Sequence, residues 1–117
     1  MNVLFHVDGV ERWNAVLANV QNLISACRTA RRPLQIEIVA TGEAVRTLIR
    51  AEAEKRSGLA ESLCHVSEEG AVLAVCGKAL EQYCIPAALL LKQAVVVPLG
   101  TMELAEKQAE GWAYLKF

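Results

Sequence analysis

The four cysteines of this chain, Cys27, Cys64, Cys76 and Cys84, contain no CxxC spacing, and only two histidines accompany them. That is too few ligands for an ordinary zinc cluster, so no metal site is expected. A charge excess is lacking too. Twelve basic and thirteen acidic residues give a formal net charge of -1. Nucleic acid calls for a basic patch or stripe, and none is visible, so no nucleic-acid partner is expected. Arg28, Arg31 and Arg32 are the one basic group, placed where a helix should end and cations suit its dipole, with a modest local anion site as the alternative. No apolar run approaches the roughly eighteen residues of a membrane span. The amino-terminal MNVLFHVDG has no basic leader and reads as a buried first strand, not a signal peptide. A cytoplasmic setting with reduced thiols is therefore expected.

Signature motifs are also missing. There is no GxGxxG after the first strand, no GxxxxGK[ST] and no GxSxG. Dinucleotide-dependent, ATP-hydrolysing and α/β-hydrolase chemistry all lose their usual support. Linkers, internal repeats and low-complexity tracts are absent as well, and 117 residues suit one domain. What is abundant is apolar side chain. The 54% hydrophobic content exceeds the roughly 45–50% typical of soluble domains. A small chain with that surplus has more than its own core to cover, which points to self-association.

The apolar residues alternate between two periods. Asn2 to Val7 is a short run ending at the turn signal Asp8-Gly9. Trp13, Val16, Leu17, Val20, Leu23, Ile24 and Cys27 then recur at helical spacing. Leu34 to Ala40 reads as a strand, with Thr41 as the N-cap of a helix from Glu43 to Arg56 that Gly58 stops. The stretch from Leu59 to Gly70 is the least legible and reads as a short helical turn and a loop. Ala71 to Val75 is a central strand, Lys78 to Tyr83 a short helix, and Ala87 to Leu91 one further turn. Ala94 to Val97 is a strand, Met102 to Glu110 a helix, and Trp112 to Phe117 a final strand. Strand and helix alternating in units of about thirty residues imply βαβ crossovers. The expected fold is a single three-layer α/β domain with a mostly parallel, five-stranded sheet of flavodoxin-like order.

In such sheets, ligands gather beyond the carboxyl ends of the strands. That rule selects Asp8-Gly9, Thr41-Gly42, Cys76-Gly77 and Leu99-Gly100-Thr101. Each glycine also has the simpler use of making a tight turn. Cys76 has two readings. Beside the first N–H groups of the following helix, with Lys78 near, it is a nucleophilic thiolate; as a small buried thiol, it is packing. His6 and Asp8 share one face of the first strand and approach Cys76 if the first and third strands are adjacent. Otherwise His6 is a core histidine and Asp8 a turn cap. Cys27 and Cys84 read as packing residues.

The segment VCGKALEQYCI, followed by VVVPLGTMELAEKQAEGWAYLKF, resembles the DsrE/DsrF-like family. Its members carry a cysteine at the end of the third strand, in a pattern close to C-x-N-T/A-L. A glycine follows the fourth strand, and the closing segment is Q-x-E-G-[WY]-x-Y, here Gln108 to Tyr114. The resemblance implies a homotrimer, or a homohexamer of two trimers, with the cysteine near a subunit boundary. It also implies an intracellular sulfur carrier or sulfurtransferase-like protein that relays a persulfide through Cys76 between donor and acceptor proteins, without a cofactor. Gly77, Lys78, His6, Asp8, Thr41, Gly100 and Thr101 are the expected supporting residues. Lys78 and Ala79 depart from the pattern, where asparagine and threonine are frequent. A non-catalytic, homo-oligomeric module for small molecules or proteins is the alternative.

Overall fold

The computed structural model describes residues Met1 to Phe117, without a cis peptide bond. Five strands form one parallel sheet: β1 (Asn2–Val7), β2 (Gln35–Ala40), β3 (Val72–Cys76), β4 (Ala94–Val97) and β5 (Ala113–Lys116). Five α-helices connect them: α1 (Trp13–Ala30), α2 (Arg50–Lys55), α3 (Leu59–Glu68), α4 (Gly77–Gln82) and α5 (Gly100–Ala109). No helix is long and apolar enough to cross a membrane.

The three-layer α/β class and the five parallel strands are those expected. In detail the strand order is β4-β3-β2-β1-β5, where flavodoxin itself has 2-1-3-4-5. The first three crossovers step in one direction, and the fourth returns across the whole sheet to the far side of β1. Right-handed crossovers then put α1, α2–α3 and α4 on one face and α5 alone on the other. The core follows this division. Phe5, Trp13, Val20, Ile38, Val45, Leu63 and Leu80 belong to a large cluster on the crowded face. Leu4, Val39, Ala74 and Leu104 form a small one beneath α5, with Val97 and Trp112 packed against it.

Two local expectations are corrected. The helix predicted from Glu43 to Arg56 is broken. A 3-10 helix occupies Gly42–Leu48, Ile49 is extended, and α2 follows. Ile49 makes an antiparallel bridge with Leu90, a distant contact that no local propensity reports. The segment predicted as turn and loop contains the ten-residue helix α3, which buries Leu59, Leu63 and Val66 on one stripe. Their four- and three-residue steps are a helical period that Cys64, His65 and the surrounding polar residues obscure.

Candidate functional site

Topology singles out the end of β3. Its outgoing connection, α4, lies on one face, whereas the connection leaving the neighbouring β4 is α5, on the other. Adjacent strands whose connections diverge leave a crevice beyond their carboxyl ends. Cys76, the last residue of β3, pairs with Val97 at the end of β4 and stands at that crevice.

The loop after β4 brings the start of α5 back onto Cys76. The backbone N–H of Gly100, the first residue of α5, donates to Cys76 Sγ at 3.2 Å. Only glycine allows this approach. A Cβ at position 100 would lie 2.5 Å from Thr41 Cγ2 and 3.2 Å from Cys76 Cβ. Gly77 has a similar use, since a Cβ there would come within 2.9 Å of the Val97 carbonyl oxygen. The sequence predicted that the helix following β3 would face the thiol. The structure corrects this: Cys76 is the N-cap of α4 but makes no side-chain capping bond, and the N–H that reaches sulfur belongs to α5. Chain proximity suggested the wrong helix because the return crossover is a tertiary feature.

Cys76 is 5% exposed and lies in the wall of an open cleft of about 580 Å³. Thr41, Gly42, Lys78, Ala79, Gln82 and Thr101 are among the other residues around it. Lys78 is solvent-exposed, and its Nζ lies 3.4 Å from Glu81 Oε2, so the cleft carries an ion pair and not a bare cation. Beside Cys76, the first residue after β2 is Thr41. It does not cap the helix that follows it. Its hydroxyl instead bonds His6 Nε2 at 2.8 Å, and His6 Nδ1 bonds the Tyr114 hydroxyl at 2.6 Å. A polar row thus crosses β5, β1 and β2 toward the thiol.

His6 touches Thr41 and not the sulfur, because β2 separates β1 from β3. The conditional adjacency of the first and third strands is therefore not realised. Burial, reinforced by the Lys116 charge, pushes the His6 imidazole below its ordinary pKa, while Asp8 opposes this. Neutral His6 carries one N–H, so one ring nitrogen donates and the other accepts. Asp8 lies outside the thiol cleft and pairs with Lys116 at 3.0 Å. Cys27 is buried as packing, but Cys84, expected to pack, is exposed with a left-handed φ of 54°. Cys64 is on α3, donates to Glu68 at 3.2 Å, and is pushed up in pKa chiefly by that carboxylate.

One residue escaped the sequence reading. Glu37 lies in the middle of β2, 4% exposed, with its Oε2 unpartnered. Burial, a hydrogen bond with Glu103 and that residue's charge push its carboxyl up to about 8. The signal was a single acid within the otherwise apolar run Ile36 to Ala40.

The model of the DsrE/DsrF-like family matches residues 1–117. Among solved structures, the chain is similar to MTH1491, a protein of unknown function from Methanobacterium thermoautotrophicum. The two are 25% identical, with a TM-score of 0.85 over 99% of this chain and 98% of that one. No curated protein matches the sequence.

Proposed function

Because the chain belongs to the DsrE/DsrF-like family, we propose that it is a sulfur carrier that relays a persulfide sulfur through Cys76. The observation that carries this reading is the Gly100 N–H donated to Cys76 Sγ at the edge of an open cleft. A backbone donor at the start of a ten-residue helix favours negative charge on the group it faces. Sulfur bears that charge when it attacks and when it departs.

In the first step, Cys76 thiolate attacks the outer sulfur of a donor persulfide. The new S–S bond forms at Sγ, the donor's S–S bond breaks, and its electron pair leaves on the donor thiolate. In the second step, an acceptor thiolate attacks that outer sulfur, and Cys76 leaves as thiolate. Neither step needs an added oxidant, reductant or cofactor. Gly100 holds charge at Sγ at both ends of the cycle. Lys78 and Thr101 line the path by which an anionic persulfide enters. His6 acts indirectly, by fixing Thr41 against Gly100. Four free cysteines suit a reducing, cytoplasmic setting.

Self-association belongs to the same reading, as a trimer or a hexamer. Val95 and Val96 are exposed on the edge strand β4, beside Leu99 and Met102. An uncharged, unpaired edge of this kind is a surface for another chain.

The low exposure of Cys76 favours a second reading, a homo-oligomeric binding module in which the thiol only lines the cleft. A low-molecular-weight persulfide donor separates the two. Under the relay reading, peptide mass spectrometry finds one added sulfur on Cys76, transferable to an acceptor thiol and absent from Cys76→Ser. No addition, or equal addition to all four cysteines, overturns it and leaves the binding module.

A further inference from the structure

At the opposite end of the sheet, the amino ends of β2 and β3 meet the last turns of α1 and α5 around a cavity of about 530 Å³. That volume is within the range of small-molecule sites. Its apolar walls include Leu34, Val72 and Trp112, and three cations surround it: Arg28, Arg32 and Lys107. A single carboxylate, Glu69, answers them, and it is bonded to Arg28.

Of the three, Arg32 is left over by the fold. The carbonyls ending α1 are closed by the chain's own N–H groups, Arg31 to Arg28 and Arg32 to Cys27. Arg32 makes no ion pair or side-chain hydrogen bond. Lys107 makes no ion pair either; its ammonium lies 4.9 Å from the centre of the Trp112 ring, and its charge acts on buried Glu37. The lining itself carries three cations and one carboxylate, in a chain whose formal net charge is -1. Half-apolar walls that bear Arg32 and Lys107 fit a ligand that is flat and apolar at one end and anionic at the other.

We infer that this cavity is a second binding site, distinct from the thiol cleft, for small organic anions with a planar apolar body. The anionic group sits between Arg32 and Lys107, and the body lies against Leu34, Val72 and Trp112. The site shares no residue with the Cys76 cleft, so it does not depend on sulfur relay.

The aromatic sulfonate 8-anilinonaphthalene-1-sulfonate is a suitable probe because its fluorescence rises in an apolar site. Titration into the full-length protein, in its native assembly, is expected to saturate at one probe per chain. Removing both cations in Arg32→Gln/Lys107→Gln weakens binding by about tenfold or more, as loss of charged hydrogen bonds requires. Each single variant shows part of that loss, and Lys107→Arg retains affinity. Added salt weakens binding, and Cys76→Ser leaves it unchanged. Equal affinity for the neutral analogue N-phenyl-1-naphthylamine overturns the inference. So does unchanged affinity in the double variant when circular dichroism shows it folded.

Discussion

Gly100 is the residue on which the thiol site turns, because its missing side chain lets a helix start rest on a sulfur atom. Adding one methyl group puts a carbon 2.5 Å from Thr41 Cγ2, closer than real contacts allow. Gly100→Ala is therefore expected to displace the first turn of α5 and lengthen the N–H···Sγ contact. Overpacking of this kind costs about 1–3 kcal/mol. The variant should unfold at lower denaturant concentration, and its Cys76 should react more slowly with iodoacetamide at pH 7 when the thiol is equally accessible. Unchanged stability and unchanged rate together would show that the approach is not needed.

The element that connects most of these observations is α5. It alone covers its face of the sheet, its first residue donates to Cys76, and its first turn carries Glu103 over buried Glu37. Two carboxylates in that position hold α5 down best when Glu37 keeps its proton. The sign follows from the direction of the shift. Folded Glu37 titrates near 8 and the unfolded residue near 4.5, so the folded state binds the extra proton between those values. Stability from this group is full below pH 4.5 and declines as pH rises toward about 8. Glu37→Gln imitates the protonated form and should flatten that decline, giving a higher Tm than the parent at pH 8. Parallel Tm–pH curves would show that Glu37 does not titrate in this window.

At the scale of the molecule, the sheet is crowded on one face and thinly covered on the other, and both edges are open. Val95 is 52% exposed on the β4 edge. Val95→Lys puts a charge on that edge, a device that blocks strand-to-strand pairing. Under the proposed self-association, sedimentation should then shift toward the monomer, while single-chain stability changes by no more than about 0.5 kcal/mol, as for other surface substitutions. An unaltered oligomer would place the interface elsewhere.

Much of this architecture was legible from the chain alone. The strands before Asp8-Gly9, Thr41-Gly42, Cys76-Gly77 and Leu99-Gly100 announce themselves as apolar runs ended by turn residues, and Trp13 to Cys27 has an unbroken helical stripe. Such patterns are local, since each residue's face depends on its position within its own element. The closing segment from Gln108 to Tyr114, joined to Cys76 at the right separation, was enough to suggest the family.

What tertiary structure alone decided is which elements meet. Strand order inserted β2 between His6 and Cys76 and turned His6 into the partner of Thr41 and Tyr114. The return crossover delivered Gly100, 24 residues away in sequence, to the sulfur. It also laid Glu103 over Glu37. Contacts of this range depend on the direction in which each crossover steps across the sheet, and no window of neighbouring residues carries that information.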